Sequence, residues 1–198
     1  MLELIEKSAS KPLAIILILS VIFLFLYYLL SIILILFLVF TAYFFRDPER
    51  KIGDGVISPA DGRIDYVGCN QLEIFMSPFD CHINRSPVKG KILSIEFRDG
   101  KLIPAYRRGK NVRMNEITIR AGDGIYKVIQ IAGIFARRIV CYVREGEDVE
   151  KGQRIGLIRF GSRVILELPT GYKFIRRVGE KVKAGETVAV KDEDLQRS

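Results

Sequence analysis

Between Leu13 and Phe45 the chain carries no charged residue, and this block limits the fold more than any other stretch. As one α-helix it would run roughly 50 Å, against a hydrocarbon core of roughly 30 Å. A single crossing would then need an extreme tilt. Tyr27, Tyr28 and Ser31 offer a polar, aromatic midpoint between limbs near Leu13–Leu26 and Ile32–Phe45. Both flanks are basic, with Lys7 and Lys11 before the block and Arg46, Arg50 and Lys51 after it. The positive-inside rule then puts both ends in the cytoplasm, which a hairpin permits. Residues 1–46 are therefore expected to form an α-helical membrane hairpin, spanning or deeply embedded. The rest, 47–198, is placed on the cytoplasmic face of the cell membrane. The block is too long for a removable signal peptide and lacks a small-residue exit.

After Pro48 the pattern changes to short β-branched runs punctuated by Gly. Gly62–Val67, Leu72–Met76, Gly90–Phe97, Asn115–Arg120, Tyr126–Ile131 and Ile139–Val143 read as strands. No amphipathic helical run of useful length follows Arg50, so the domain is mostly β. The net charge of +8 falls on it, because the four charges before the apolar block cancel. Such a basic surface beside a membrane suits anionic phospholipid. Nucleic acid is not expected, since the strands carry no interleaved aromatic platform. Cys69, Cys81 and Cys141 are odd in number and lack paired spacing, and His82 is the only histidine. No disulfide framework and no metal site are expected from that set.

Gly146-Glu147-Asp148-Val149-Glu150-Lys151-Gly152-Gln153-Arg154-Ile155-Gly156 is repeated as Gly179-Glu180-Lys181-Val182-Lys183-Ala184-Gly185-Glu186-Thr187-Val188-Ala189. Each copy reads as turn, short strand, Gly turn, strand. The pattern resembles the half-units of lipoyl- and biotinyl-type domains, which pair about a pseudo-twofold. It predicts a duplicated lipoyl/biotinyl-like barrel-sandwich. Neither copy offers the modifiable Lys of a carrier domain, so the likeness bears on architecture. A membrane-anchored adaptor of this architecture, without enzymatic activity, is the alternative reading.

Between the repeats lies Gly161-Ser162, flanked by two β-rich runs, Arg154–Phe160 and Arg163–Leu168. Gly-Ser between strands is a two-residue hairpin signal, and the flanking runs are expected to pair or align. Ser58-Pro59-Ala60-Asp61-Gly62 has good turn chemistry, although Asp61 could also orient a base. Met76-Ser77-Pro78-Phe79-Asp80-Cys81-His82-Ile83-Asn84-Arg85-Ser86-Pro87 collects an acid, the only His, an amide and an Arg in a Pro-bounded segment. It suits an acid/base group and an anion-binding Arg as well as it suits a satisfied loop His. Asn115-Glu116 opens a strand, and Ala136-Arg137-Arg138 fits a phosphate clamp or an exposed basic patch.

In order along the chain, these segments resemble phosphatidylserine decarboxylase proenzymes of the short, membrane-anchored prokaryotic form. The likeness runs from Phe44-Phe45-Arg46-Asp47-Pro48 through the Asp61 turn, the His82 segment, Asn115-Glu116 and Ile131-Ala132-Gly133, ending on Arg159-Phe160-Gly161-Ser162-Arg163-Val164. It implies self-cleavage between Gly161 and Ser162, giving a large subunit (1–161) and a small one (162–198). Ser162 would become a covalent pyruvoyl cofactor whose ketone takes the serine amine of the lipid as a Schiff base. Loss of CO₂ would leave an ethanolamine headgroup. Asp61, His82 and Ser162 match the family's cleavage triad in part. Longer members carry two His three residues apart, whereas here His82 holds the first place and Arg85 the second. An arginine is a poor base, so His82 is expected to serve both cleavage and decarboxylation. Arg85, Asn115, Glu116, Arg137 and Arg138 are the expected substrate-binding residues. The lipid's tails, ester diacyl or archaeal ether, stay open, and strand edges left by two half-barrels would suit a homodimer.

Overall fold

The computed structural model describes residues 10–101, 111–133, 138–159 and 162–196. The chain divides into two compact units, Met1–Tyr43 and Phe44–Ser198. In the first, helix α1 (Ser10–Phe44) runs unbroken, and Leu13–Phe44 is long and apolar enough to cross a membrane. The expected hairpin is absent, and the reason is local. Ser20, Ser31 and Thr41 donate their hydroxyls to the carbonyls of Ile16, Tyr27 and Phe37, at 2.8, 2.9 and 2.8 Å. Ser31, one of the three residues that suggested a turn, is thus satisfied inside the helix. Between Leu13 and Phe44 there is no Gly or Pro to interrupt it.

The second unit is mostly β. Its elements are β1 (Val56–Ile57), β2 (Gly62–Val67), β3 (Gln71–Met76), β4 (Ile83–Arg85), β5 (Gly90–Arg98), β6 (Met114–Ala121) and β7 (Gly124–Ala132). They continue as β8 (Ile139–Cys141), β9 (Asp148–Val149), β10 (Arg154–Ile158), β11 (Ser162–Glu167), β12 (Tyr172–Phe174), β13 (Lys181–Val182), β14 (Thr187–Lys191) and the short α2 (Asp192–Gln196). The large sheet has the order β13-β2-β3-β11-β7-β6-β5-β9, and two three-stranded sheets run β1-β14-β12 and β4-β10-β8. Alternation along the large sheet sends Ile64, Ile74, Ile117, Ile119, Val128, Val164 and Leu166 into one core with Ile155, Ile158 and Val188.

The order of the large sheet is mirrored about the β11–β7 pair. Its two edges, β13 and β9, come from the two copies of the Gly-Glu repeat, and β14 and β10 centre the two small sheets. Backbone bonds repeat with the same partners: Gly179 N to Ile64 O and Gly146 N to Ile92 O, Gly185 N to Ser58 O and Gly152 N to Ser86 O. They expose a second duplication, Ser58-Pro59-x-x-Gly62-x-Ile64 against Ser86-Pro87-x-x-Gly90-x-Ile92, that sequence reading passed over. The halves cross-link reciprocally, Ile57 N to Pro87 O at 3.2 Å and Arg85 N to Pro59 O at 2.9 Å.

Under this correspondence β6 and β7 match β3 and β11. Gly124 lies opposite Ala121 across the tight β6–β7 turn, and Ser162 lies opposite Met76 in the same way. Yet β3 and β11 are not joined to each other. Ser162 therefore begins a strand at the place where the other half simply turns a hairpin. The expected pairing of the runs on either side of Gly161-Ser162 is not found. β10 pairs β4 and β8, whereas β11 pairs β3 and β7, so the chain changes sheets there.

Candidate active site

The site is built around the crossing between sheets made by residues 77–82, which carry the chain from β3 to β4. At its start Met76 is in register with the first residue of β11, Ser162, and at its end Ile83 is in register with Leu157 near the end of β10. The His82 carbonyl also accepts from Ile158 N at 3.3 Å. His82 therefore lies beside the ends of β4 and β10, and Ser162 beside the ends of β3 and β7.

Ser77–Asp80 is a tight turn, with Asp80 N donating to Ser77 O at 3.0 Å and Asp80 Oδ2 accepting from Ser77 N at 2.7 Å. It delivers His82 into a fully buried position. The imidazole stacks on Phe44, itself fully buried, at a centroid separation of 4.2 Å. Nδ1 lies 2.9 Å from the Asp80 carbonyl, which can only accept, so Nδ1 carries the proton and Nε2 the lone pair. Nε2 has no hydrogen-bond partner among the described residues. Burial lowers the pKa from 6.5 to about 4, opposed by the hydrogen bond and charge of Asp80 and assisted by the charge of Arg46. His82 is thus neutral at neutral pH, with a buried lone pair available. A buried, unsatisfied ring nitrogen is a position that calls for a functional reason.

The other expected residues fall into distinct places. Asp61 is buried, but its carboxylate binds Arg50 Nη2 at 2.6 Å and accepts from Ala184 N at 2.8 Å. It ties the segment after the helix to the β13–β14 turn, while the Asp80 carbonyl orients His82. Arg85 donates to Gly152 O at 3.0 Å, Asp47 Oδ1 at 2.7 Å and Pro48 O at 3.4 Å. Asp47 also pairs with Arg154. Asn115 and Glu116 face opposite sides of β6, as neighbours on a strand must. Glu116 pairs with Lys127 at 2.6 Å. Arg138 is exposed, and its carbonyl accepts from Arg159 N at 3.3 Å. Gly161 and Arg137 lie outside the described residues; of Ser162, the backbone register is described.

Two features escaped the sequence reading. Asn115 Nδ2 donates to Gln130 Oε1 at 2.9 Å, and Gln130 Nε2 donates to Asn84 Oδ1 at 2.7 Å. This buried amide chain ends beside Met76, the register partner of Ser162. On the opposite face, Arg163 is buried and pairs with Asp65 at 2.7 Å and with Glu73. The available signal was a charge, Arg163 or Glu73, inside each of two otherwise β-favouring runs.

A family model described as phosphatidylserine decarboxylase matches residues 65–190. A putative archaetidylserine decarboxylase proenzyme of Archaeoglobus fulgidus is 60% identical over 98% of this chain and 100% of its own length. A second, of Methanocaldococcus jannaschii, is 38% identical over 79% of this chain and 92% of its own. The phosphatidylserine decarboxylase proenzyme of Syntrophus aciditrophicus is 41% identical over 75% of this chain and 78% of its own.

Proposed function

Because this chain belongs to the phosphatidylserine decarboxylase family, we propose that it is a self-processing, pyruvoyl-dependent decarboxylase of phosphoserine-headgroup lipids, releasing CO₂ and leaving the ethanolamine lipid. The similarity to archaeal proenzymes over nearly the whole chain favours the ether-linked archaeal lipid, archaetidylserine, over the diacyl ester. The mirrored sheet and doubled turn bonds support a duplicated, lipoyl-like barrel-sandwich as the scaffold.

The observation that carries the reading is His82: neutral, buried, with its Nε2 lone pair unpartnered among the described residues, on the loop that starts after Met76, the register partner of Ser162. In the precursor, His82 Nε2 accepts the Ser162 hydroxyl proton as the oxygen attacks the Gly161 carbonyl. Gly161 suits that attack because a missing Cβ leaves room and tolerates a strained backbone. The Asp80 carbonyl keeps the imidazole in the accepting tautomer throughout. β-Elimination of the ester releases Gly161 as a carboxylate and leaves dehydroalanine at 162. Its imine tautomer takes up water and loses ammonia, which would give residues 162–198 a pyruvoyl N-terminus, the electron sink that decarboxylation of an amino-acid headgroup requires. His82 then returns a proton to the headgroup carbon. Arg138, exposed next to β8, remains a candidate for the lipid phosphate. Arg85 and Asp61, engaged as described, act by holding the segment after the helix against the β unit.

The apolar helix anchors the protein, and the β unit lies on the cytoplasmic face. Arg46, Arg50 and Lys51 after the apolar block outnumber Lys7 and Lys11 before it, which for a single span puts the β unit inside. The free thiols of Cys69, Cys81 and Cys141 suit a reducing compartment.

The test is the purified wild-type chain on a denaturing gel, beside His82→Ala. The wild type should resolve into fragments 1–161 and 162–198, the smaller blocked at its N-terminus with the mass of pyruvoyl in place of Ser. His82→Ala should stay uncut. An intact wild-type chain with a readable N-terminal Met would favour an anchored adaptor, and clean cleavage of His82→Ala would remove His82 as the base.

A further inference from the structure

The turn that delivers His82 also carries Phe79 at its tip, with 66% of that residue exposed. An exposed phenylalanine alone needs no explanation. Its tether does. Arg46 Nη2 donates to the Phe79 carbonyl at 2.8 Å, and Cys81 Sγ donates to the Arg46 carbonyl at 3.3 Å. Arg46 is the first charged residue after the apolar block that ends at Phe45. An arginine in that position places its guanidinium at the polar boundary of the bilayer. A carbonyl bonded to that guanidinium sits at the same depth, whatever the tilt of the helix.

We infer that Phe79 is an interfacial anchor whose ring enters the boundary between headgroups and acyl chains. It holds the His82 turn against the lipid surface from which an anionic headgroup is drawn. This inference rests on the proposed membrane anchoring and adds to it a second, shallow contact made by the catalytic loop itself. The partner is the bilayer interface, where an aromatic ring is favourably placed beside basic side chains. Arg46 and the exposed Lys51 on the same short segment supply attraction to anionic lipid.

The chain contains no tryptophan, so Phe79→Trp introduces a single reporter into the full-length protein. The protein is reconstituted into anionic lipid vesicles and recovered by flotation. The Phe79→Trp emission should be blue-shifted and quenched by lipids brominated near the top of the acyl chain. Phe97→Trp, at an exposed position on β5, should remain water-like and unquenched. In parallel, Phe79→Ser should cleave itself as the wild type does. It should show a several-fold higher KM for vesicle-borne lipid, with kcat unchanged and no change toward a short-chain, dispersed substrate. Floating Phe79→Trp protein whose indole emission stays water-like and unquenched overturns the inference alone. Protein that fails to float overturns the anchoring reading, and this inference with it.

Discussion

His82 illustrates how one side chain couples stability to chemistry. Its folded pKa of about 4 lies below the ordinary 6.5, mainly because burial disfavours the imidazolium. Between those values the unfolded chain binds a proton that the folded chain does not, so stability rises with pH across that window. The full contribution is present above 6.5, and about 3 kcal/mol is lost by pH 4. Thermal unfolding in detergent from pH 4 to 7 should therefore show a steeper slope for wild type than for His82→Gln; equal slopes would count against a buried neutral imidazole. Self-cleavage should follow the same titration. It should be flat near neutrality and fall as pH drops through 4, because a protonated Nε2 cannot accept from Ser162.

Among the elements, β11 and α1 show opposite ways in which local sequence settles position. β11 is paired on both sides, and its second residue, the buried Arg163, ties it to the half-buried Asp65 on β2 and the buried Glu73 on β3 through ion pairs. A one-residue slip of such a strand would turn every side chain to the wrong face, so Arg163 fixes the register at Ser162. Arg163→Met should destabilise by about 3 kcal/mol, because it leaves the Glu73 carboxylate buried without its cation. Arg163→Met with Glu73→Gln and Asp65→Asn should recover part of that loss. Thermal melts of the three proteins decide it, and no loss in the single variant would mean that the pairs do not lock the strand. α1 needs no such partner. Its hydroxyls bond one turn back, and with no Gly or Pro after Leu13 the helix continues where the hairpin was expected to turn.

At the scale of the whole molecule, the proposed cut at 161/162 would fall between sheets without severing either. Residues 162–198 supply β11 inside the large sheet, β13 at its edge, and β12 and β14 in a small sheet. Extracting them would break ladders in two sheets and expose Val164, Leu166, Val182 and Val188. The fragments should therefore co-elute on size exclusion in mild detergent and part only under denaturing conditions. Separation in native buffer would contradict this arrangement.

The strands at 62–67, 90–97, 115–120 and 126–131, and one of the two duplications, were readable because alternation and Gly punctuation are local signals. The apolar character of the N-terminal block was equally plain, but its single-helix form was not. Two polar tyrosines and a serine suggest a turn in sequence, whereas hydrogen bonds to the preceding helical turn decide the matter. Asp61 and Arg85 looked like chemistry because charge in a turn is compatible with catalysis. Their partners, Arg50, Ala184, Asp47 and Gly152, become visible only when distant segments meet. The sequence alone determined that Gly161-Ser162 stands between two β runs and that His82 is the only imidazole. Tertiary structure decided that those runs belong to different sheets, because hydrogen-bond pairing across the chain follows the best burial of both faces and not nearness in sequence. It also decided that the single imidazole is buried, neutral and on the loop beside that serine's strand.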